Sequence, residues 1–302
     1  MNVPEDDVKL VQHALVGEFF RIIGLPPEGR IRLLFGPIIN RPTRRFSELI
    51  VEFDRGVAEW GITAASRDIL DRFTEGSSSR LANFMPTSGG LIVVSNHPGT
   101  FDFFTVMSRL PREDIKFLIS GVPVVRSLPA SSEYLIYVPG DPHGRIRVIR
   151  EAIRHLKNDG CLVLFPTGIL DPDPEVLPGS RKALEKWSQS LDLFLRHAPD
   201  AFVQVAIVSG VLPGDAIKNP LTVLVREKWK KQRLAEFLYV ARMMVQGGKF
   251  SVHPKISFAE PIQPVEFSTL QKGEARTELI IERAIAQLNK HCDRFPCVSE
   301  KD

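Results

Sequence analysis

The sequence lacks an apolar run long enough to cross a bilayer. A spanning helix needs about 20 predominantly apolar residues. The most apolar stretch, Ala201 to Gly214 (AFVQVAIVSGVLPG), is shorter, carries Gln204 and is broken by Pro213. No transmembrane segment is therefore expected. Charge of one sign is also scarce: 39 Lys plus Arg stand against 36 Asp plus Glu, a net of +3, which is too weak to indicate a nucleic-acid partner. The opening residues, MNVPEDDVKL, are acidic and lack the basic-then-apolar profile of a secretory leader, so a cytoplasmic location is expected. Only three cysteines occur, Cys161, Cys292 and Cys297. So few fit a reducing compartment, and Cys292, Cys297 and His291 together offer too few ligands for a metal. All three are read as ordinary thiols. No G-x-S-x-G string marks a serine nucleophile on a strained elbow.

What remains is ordinary globular composition, 43% hydrophobic and 25% charged, in a chain long enough for one large α/β domain plus a small appendage. From Asp6 to about Phe73 apolar residues recur at three- and four-residue spacing, predicting helices that form a layer of their own over residues 1–80. Residues 74–90 (TEGSSSRLANFMPTSGG) are polar and Ser/Gly-rich, as suits a linker.

Over residues 85–295, short apolar runs alternate with helical ones. LIVVS, IKFLI, YLIYV, CLVLF, FVQVAIVS, TVLV and KISF are expected as strands, with helices near 101–110, 144–158 and 181–197. This alternation predicts an α/β fold with a mainly parallel or mixed central sheet flanked by helices. The runs from Leu91, Cys161 and Phe202 are unbroken, as in strands covered on both faces.

In such sheets the chemistry gathers at the carboxyl ends of strands. Three loops qualify: SNHPGTFD after the first strand, PTGILDPDPEVLPGS after Phe165, and GVLPGD after Ser209. In the first, Pro98 and Gly99 make the turn, Thr100 is placed to cap the next helix, and Asp102 falls in its first turn. A carboxylate there fixes the tautomer of His97, leaving its other nitrogen as a base near neutral pH.

The string NHPGTFD resembles the Asn-His-x-x-x-x-Asp motif of the glycerolipid acyltransferase family, the PlsC-like lysophosphatidic acid and glycerol-3-phosphate acyltransferases. Further pieces follow in that family's order. YLIYVP resembles its second block and LFPTG (164–168) its Phe-Pro-Glu-Gly block. LPGSRKAL (177–184), VQVAIVSG (203–210) and ISFAEPI (256–262) come next, and together these cover about residues 85–265. The resemblance implies a fatty acyl transfer from acyl-CoA or acyl carrier protein to the hydroxyl of a lysophospholipid or glycerol phosphate, without a cofactor or a covalent acyl-enzyme. It implies His97 as general base and Asp102 as its orienting partner. It implies a substrate-binding set of Asn96, Gly99, Thr100, Pro166, Thr167 and Gly168. Backbone amides near Gly99 or the helix start are candidates to hold the developing oxyanion.

Two departures bear on the acceptor. Thr167 stands where the family usually has glutamate, and YVPGDPHGR lacks the usual arginine after its strand. Arg145, at a helix start, and Arg147 or Arg181 are the substitutes for a phosphate contact. Other acceptors (a different alcohol or an amine), thioester hydrolysis, and a noncatalytic lipid-binding role stay open. Phe101, Phe103 and Phe104 are expected in the core more than in an acyl channel. In the next helix, Ile146, Ile149, Ile153 and Leu156 are read as the buried stripe, with Arg150 and Arg154 solvated. Asp171, Asp173 and Glu175 alternate with prolines, predicting an extended loop with splayed carboxylates and no metal. The basic REKWKKQR (226–233), together with Arg41, Arg44 and Arg45, suits a peripheral membrane surface.

Overall fold

The computed structural model describes residues 4–22, 30–82, 84–120, 127–225, 227–270 and 275–299. Two helices open the chain, α1 (Glu5–Ile22) and α2 (Arg30–Phe73). The sheet is built from β1 (Ser78–Arg80), β2 (Leu91–Ser95), β3 (Ile115–Ser120), β4 (Leu135–Val138), β5 (Cys161–Leu164), β6 (Phe202–Ser209) and β7 (Lys255–Phe258). Between and after the strands lie α3 (Thr100–Met107), α4 (Pro129–Ser132), α5 (Pro142–Lys157), α6 (Ser180–Leu184), α7 (Ser190–His197), α8 (Lys228–Gln246), α9 (Pro264–Ser268) and α10 (Ala275–Arg294).

The seven strands lie in the order β1-β7-β6-β2-β5-β3-β4. From β6 to β4 all neighbours are parallel, whereas β7 runs antiparallel to β6 and carries β1 beside it. The sheet is therefore mixed, flanked by helices and joined by an amino-terminal helical region.

Side-chain alternation divides two cores. Leu91 and Val93 of β2 and Cys161 and Val163 of β5 face one core with α2, α3 and α8. Ile92, Val94, Leu162 and Leu164 face the other, with α5, α7 and α10. Successive strand residues point to opposite faces, so an unbroken apolar run is what two covered faces require. Helix α2 is interrupted at Gly61, whose φ of 79° is open to a residue without Cβ. Beyond that break Ile62, Ala65, Ile69 and Leu70 join the same core as Val93 and Phe101, so the helical layer shares its interior with the sheet.

Several elements differ from the sequence reading. Ser78–Arg80, inside the expected linker, is an edge strand paired with β7; it is partly exposed and carries no apolar pattern to betray it. Residues 222–225, expected as a strand, are largely taken into a 3-10 helix over Pro220–Leu224, where Pro220 starts the turn and the Asn219 side chain accepts from Leu221 N–H at 3.0 Å. The helix expected over 181–197 is two, because Ser188 Oγ takes the Ser190 N–H at 3.2 Å in competition with helical pairing.

The stripe of α5 is rotated. Gly144, Val148, Ala152 and Leu156 are buried, while Ile146 is 49% exposed. Ile149 and Ile153 are partly buried against the core, and with Ile146 and Leu193 they also line a surface groove of about 680 Å³. Arg150 and Arg154 are exposed, as expected. Cys292 and Cys297, read as ordinary thiols, form a disulfide with Cα atoms 5.3 Å apart. The chain turns back through Phe295 and Pro296 after α10, which brings the two together. Cys161 is a buried free thiol, its pKa pushed up to about 12 by burial.

Candidate active site

Strand β2 lies between β5 and β6, so the three loops singled out in the sequence meet at one edge of the sheet. At the end of β2, Asn96 is buried and uses its amide as a peptide group would. Its Nδ2 donates to Val208 O and its Oδ1 accepts from Val208 N, both at 2.8 Å. Asn96 thus extends the β2–β6 ladder, with its amide engaged by the backbone of β6.

His97 follows, with its ring 30% exposed. Asp102 is fully buried one turn into α3, and its Oδ2 lies 2.8 Å from His97 Nδ1 and accepts from Gly99 N–H at 2.8 Å. A carboxylate can only accept, so Nδ1 carries the proton and Nε2 is the ring atom that can take another. Phe165, at the mouth of β5, stacks on the imidazole with centroids 4.5 Å apart and planes 10° from parallel. The ring is thereby fixed at its edge by Asp102 and on its face by Phe165.

The first turn of α3 is arranged differently from the expectation. Gly99, not Thr100, is the residue before the helix. The amides suggested for an oxyanion are occupied: Gly99 N–H by Asp102, and Thr100 N–H by Glu236 of α8. A carboxylate at a helix amino terminus is favourable, and here two of them engage these amides. Phe101, Phe103 and Phe104 pack against Phe250, Phe117 and Phe53 respectively, at centroid distances of 5.1 Å, as core side chains.

The loop after β5 is stitched to the His97 turn. Asp171 N–H donates to His97 O at 2.8 Å, and Asp171 Oδ2 accepts from His97 N–H at 2.9 Å and from the Thr167 hydroxyl at 3.3 Å. Ile169 O lies closer to the same Thr167 hydroxyl, at 3.0 Å, and shares its single proton with Asp171, and Gly168 closes the turn with a φ of 67° and a bond to Phe165 O. Pro166 is buried beside them. Asp173 accepts from the amides of Glu175, Gly210, Val211 and Leu212 at 2.9–3.1 Å, tying the β5 loop to the β6 loop. Asp171 and Asp173 therefore point inward, not splayed into solvent, and Glu175 pairs with Lys255 at 2.5 Å. Among the described residues no cluster of His, Cys, Asp or Glu has the makings of a metal site.

Arg145 does not join this edge. Arg145 is exposed and folds back on Gly140 O at 2.9 Å, near an α5 start that lies three strand positions from β2. At about 4.8 Å per strand that is roughly 14 Å. Arg181, at the start of α6 directly after the β5 loop, has its side chain 55% exposed and pairs with Glu185 just past the end of that helix. Arg147 is exposed along a groove with Tyr137 and Glu151. Neither this groove nor the one between α5 and α7 includes a residue of the His97 turn.

The electrostatics follow from burial against charge. Burial pulls the His97 pKa down, yet the charge and hydrogen bond of Asp102, with the charges of Asp171 and Glu236, outweigh it and leave it raised. Burial pushes Asp171 up to about 6 against its bond from the His97 amide, and Asp173 up to about 6 against its four amide donors. Glu236 is raised by burial too. A second histidine, His291, sits between Ser209 Oγ and Ser257 Oγ at 2.8 Å each, with no exposed surface. Burial drives its pKa down to about 4. It is a closed structural network.

Sequence reading missed Phe165, Asp171, Gln232 and Glu236. The first two sit in the motif loops and were within reach of a strand-end argument; the other two lie over 130 residues downstream, with no local signal. In the basic stretch, Arg226 and the side chains of Lys228 and Trp229 lie outside the described residues. Lys230 pairs with Glu227 at 2.5 Å. Arg44 binds Glu5 and Glu48, and Arg45 donates to Met244 O, so these cations are engaged within the chain. Among the described residues no helix is long and apolar enough to cross a membrane.

No family model and no curated protein matches the chain. Among solved structures it is similar to the 1-acyl-sn-glycerophosphate (LPA) acyltransferase PlsC from Thermotoga maritima, with 15% sequence identity and a TM-score of 0.47 over 96% of this chain and 98% of that one.

Proposed function

We propose that the chain is an acyltransferase that moves a fatty acyl group from a thioester, acyl-CoA or acyl carrier protein, to the hydroxyl of a lipid-like acceptor. The default acceptor is a lysophospholipid or glycerol phosphate. The observation that carries this reading is the 2.8 Å contact of His97 Nδ1 with buried Asp102, at the carboxyl edge of the central strand, with the imidazole still reachable from solvent. The motif blocks read from the sequence support it.

In this mechanism His97 Nε2 takes the proton of the acceptor hydroxyl as its oxygen attacks the thioester carbon. Asp102 holds the imidazolium that forms. When the tetrahedral intermediate collapses, the carbon–sulfur bond breaks and the leaving sulfur receives that proton, giving ester and free thiol. No protein nucleophile is required. Thr167 and the distant Arg145 leave a phosphate contact to other groups, so the acceptor screen spans phosphate-bearing and phosphate-free alcohols. Peripheral attachment to a membrane is part of the same proposal, since both acceptor and acyl chain are lipid-like.

The test is incubation of purified protein with labelled acyl-CoA and, separately, acyl carrier protein, against lysophosphatidic acid, glycerol 3-phosphate, other alcohols and amines. Acyl product is expected with at least one acceptor, and His97→Ala is expected to lower turnover by at least about 100-fold, the scale of losing a general base. Thiol release without any acceptor would mark a hydrolase instead. Near-normal transfer by a folded His97→Ala variant would remove His97 from the mechanism.

A further inference from the structure

Helix α8 grips the turn that carries His97 from outside the motif loops. One helical turn apart on its inner face are Gln232 and Glu236, both at least nine-tenths buried. Gln232 Nε2 donates to Pro98 O and to Asp171 O, each at 2.8 Å, joining the β2 and β5 loops. Glu236 Oε1 accepts from Thr100 N–H at the amino end of α3. The approach is so close that a Cβ on Gly99 would stand 2.7 Å from Glu236 Oε1. The glycine of NHPGTFD is thus explained by a side chain 137 positions away in the chain, not by its backbone angles, which are extended.

We propose that Glu236 is a positioning residue for the His97–Asp102 pair: its buried carboxylate fixes the amino end of α3 and adds a negative charge, beside those of Asp102 and Asp171, that makes His97 a stronger base. This rests on the general-base reading above. The logic is electrostatic. An ion in a dry site keeps its field; burial raises the Glu236 pKa, and the Thr100 amide, the helix terminus and His97 act against burial in favour of its charged form. Packing alone would be served as well by a neutral side chain of the same shape.

The groups facing His97 are Asp102 from α3, Asp171 from the β5 loop and Glu236 from α8; those facing Glu236 are Asp102 and His97. All three acids favour the imidazolium. Glu236→Gln keeps an oxygen for the Thr100 amide and removes the charge, so it separates field from shape. Gln232→Ala removes a neutral tie and serves as the control.

The experiment is a histidine-selective NMR titration of His97 in the wild-type chain and in both variants, with a pH profile of transfer beside it. In Glu236→Gln the His97 midpoint is expected to fall by about half to one pH unit, a threefold to tenfold loss of proton affinity, and the acid limb of kcat/KM is expected to move with it. In Gln232→Ala the midpoint is expected to stay within about 0.2 unit. An unchanged midpoint in folded Glu236→Gln overturns the proposal. If Glu236→Gln does not fold, reciprocity supplies the answer: in His97→Gln the Glu236 carboxyl is expected to titrate at higher pH, and no movement there is equally fatal. Absence of acyl transfer by the wild-type chain defeats the functional reading but leaves the titration to judge Glu236.

Discussion

Two histidines with partners on their ring nitrogens behave in opposite ways. His97 faces a carboxylate and keeps 30% of its ring exposed, so the charged form is favoured and its pKa is raised. A general base must be neutral to act, so the rate of transfer is expected to rise with pH through a midpoint above 6.5, and kcat/KM measured from pH 5 to 9 checks this. His291 faces two hydroxyls and no solvent, and its pKa falls to about 4. Between about 4 and 6.5 the unfolded chain binds a proton that the folded chain refuses, so this contribution to stability is full above 6.5 and is lost as pH falls through that window. Relative to His291→Gln, the wild-type chain is expected to lose about 2.5 kcal/mol between pH 7 and pH 4.5, read from urea unfolding at both. A constant gap between the two proteins would show that His291 does not titrate there.

At the level of elements, the site is made by loops that hold one another. Asp173 satisfies four backbone amides from two loops. Asp173→Ala would orphan buried donors, each costly to leave unpaired, and is expected to destabilise the fold by about 3 kcal/mol in urea unfolding. Gly99→Ala places a methyl against Glu236. The Glu236 carboxylate must then swing off the Thr100 amide, and turnover is expected to fall about tenfold while circular dichroism stays native, since misplacement of the groups around the reacting atoms is costly. The element reading worked best for β2, β5 and β6, where an unbroken apolar run has a single explanation. On α5 it was right for Ile149, Ile153 and Leu156, which reach the core, and wrong for Ile146, because the rows Ile146–Ile149–Ile153 and Val148–Ala152–Leu156 are both helical stripes. Only the neighbours α5 packs against choose between them. The disulfide was illegible for a similar reason: two cysteines five residues apart meet only because the chain reverses after α10.

For the whole molecule, sheet order is decisive. The order β6-β2-β5 collects three loops separated by some 110 residues of chain, and α8 closes the cluster from the helical side. The amino-terminal helices belong to this arrangement, because Ile62, Ile69 and Leu70 cover the face of the sheet that also buries Val93 and Phe101. A fragment comprising residues 85–295 alone would expose that face. It is expected to aggregate or to bind a hydrophobic dye without a cooperative thermal transition, whereas the full chain melts cooperatively. A soluble, cooperatively folding fragment would show instead that the helical layer is dispensable.

The residues by themselves determined the local outcomes: which segments are buried strands, that a histidine and an aspartate five positions apart share a strand-to-helix turn, and that the sheet is α/β in kind. These depend on periodicity and short-range geometry, which the order of residues contains in full. Tertiary packing decided the rest, namely which face of α5 is buried, that the Asn96 amide is engaged by β6, and that Glu236 sits at the amino end of α3. Those outcomes depend on which distant groups compete for the same amide or the same buried surface, and burial sets the strength of each such contact only after the chain has closed around it.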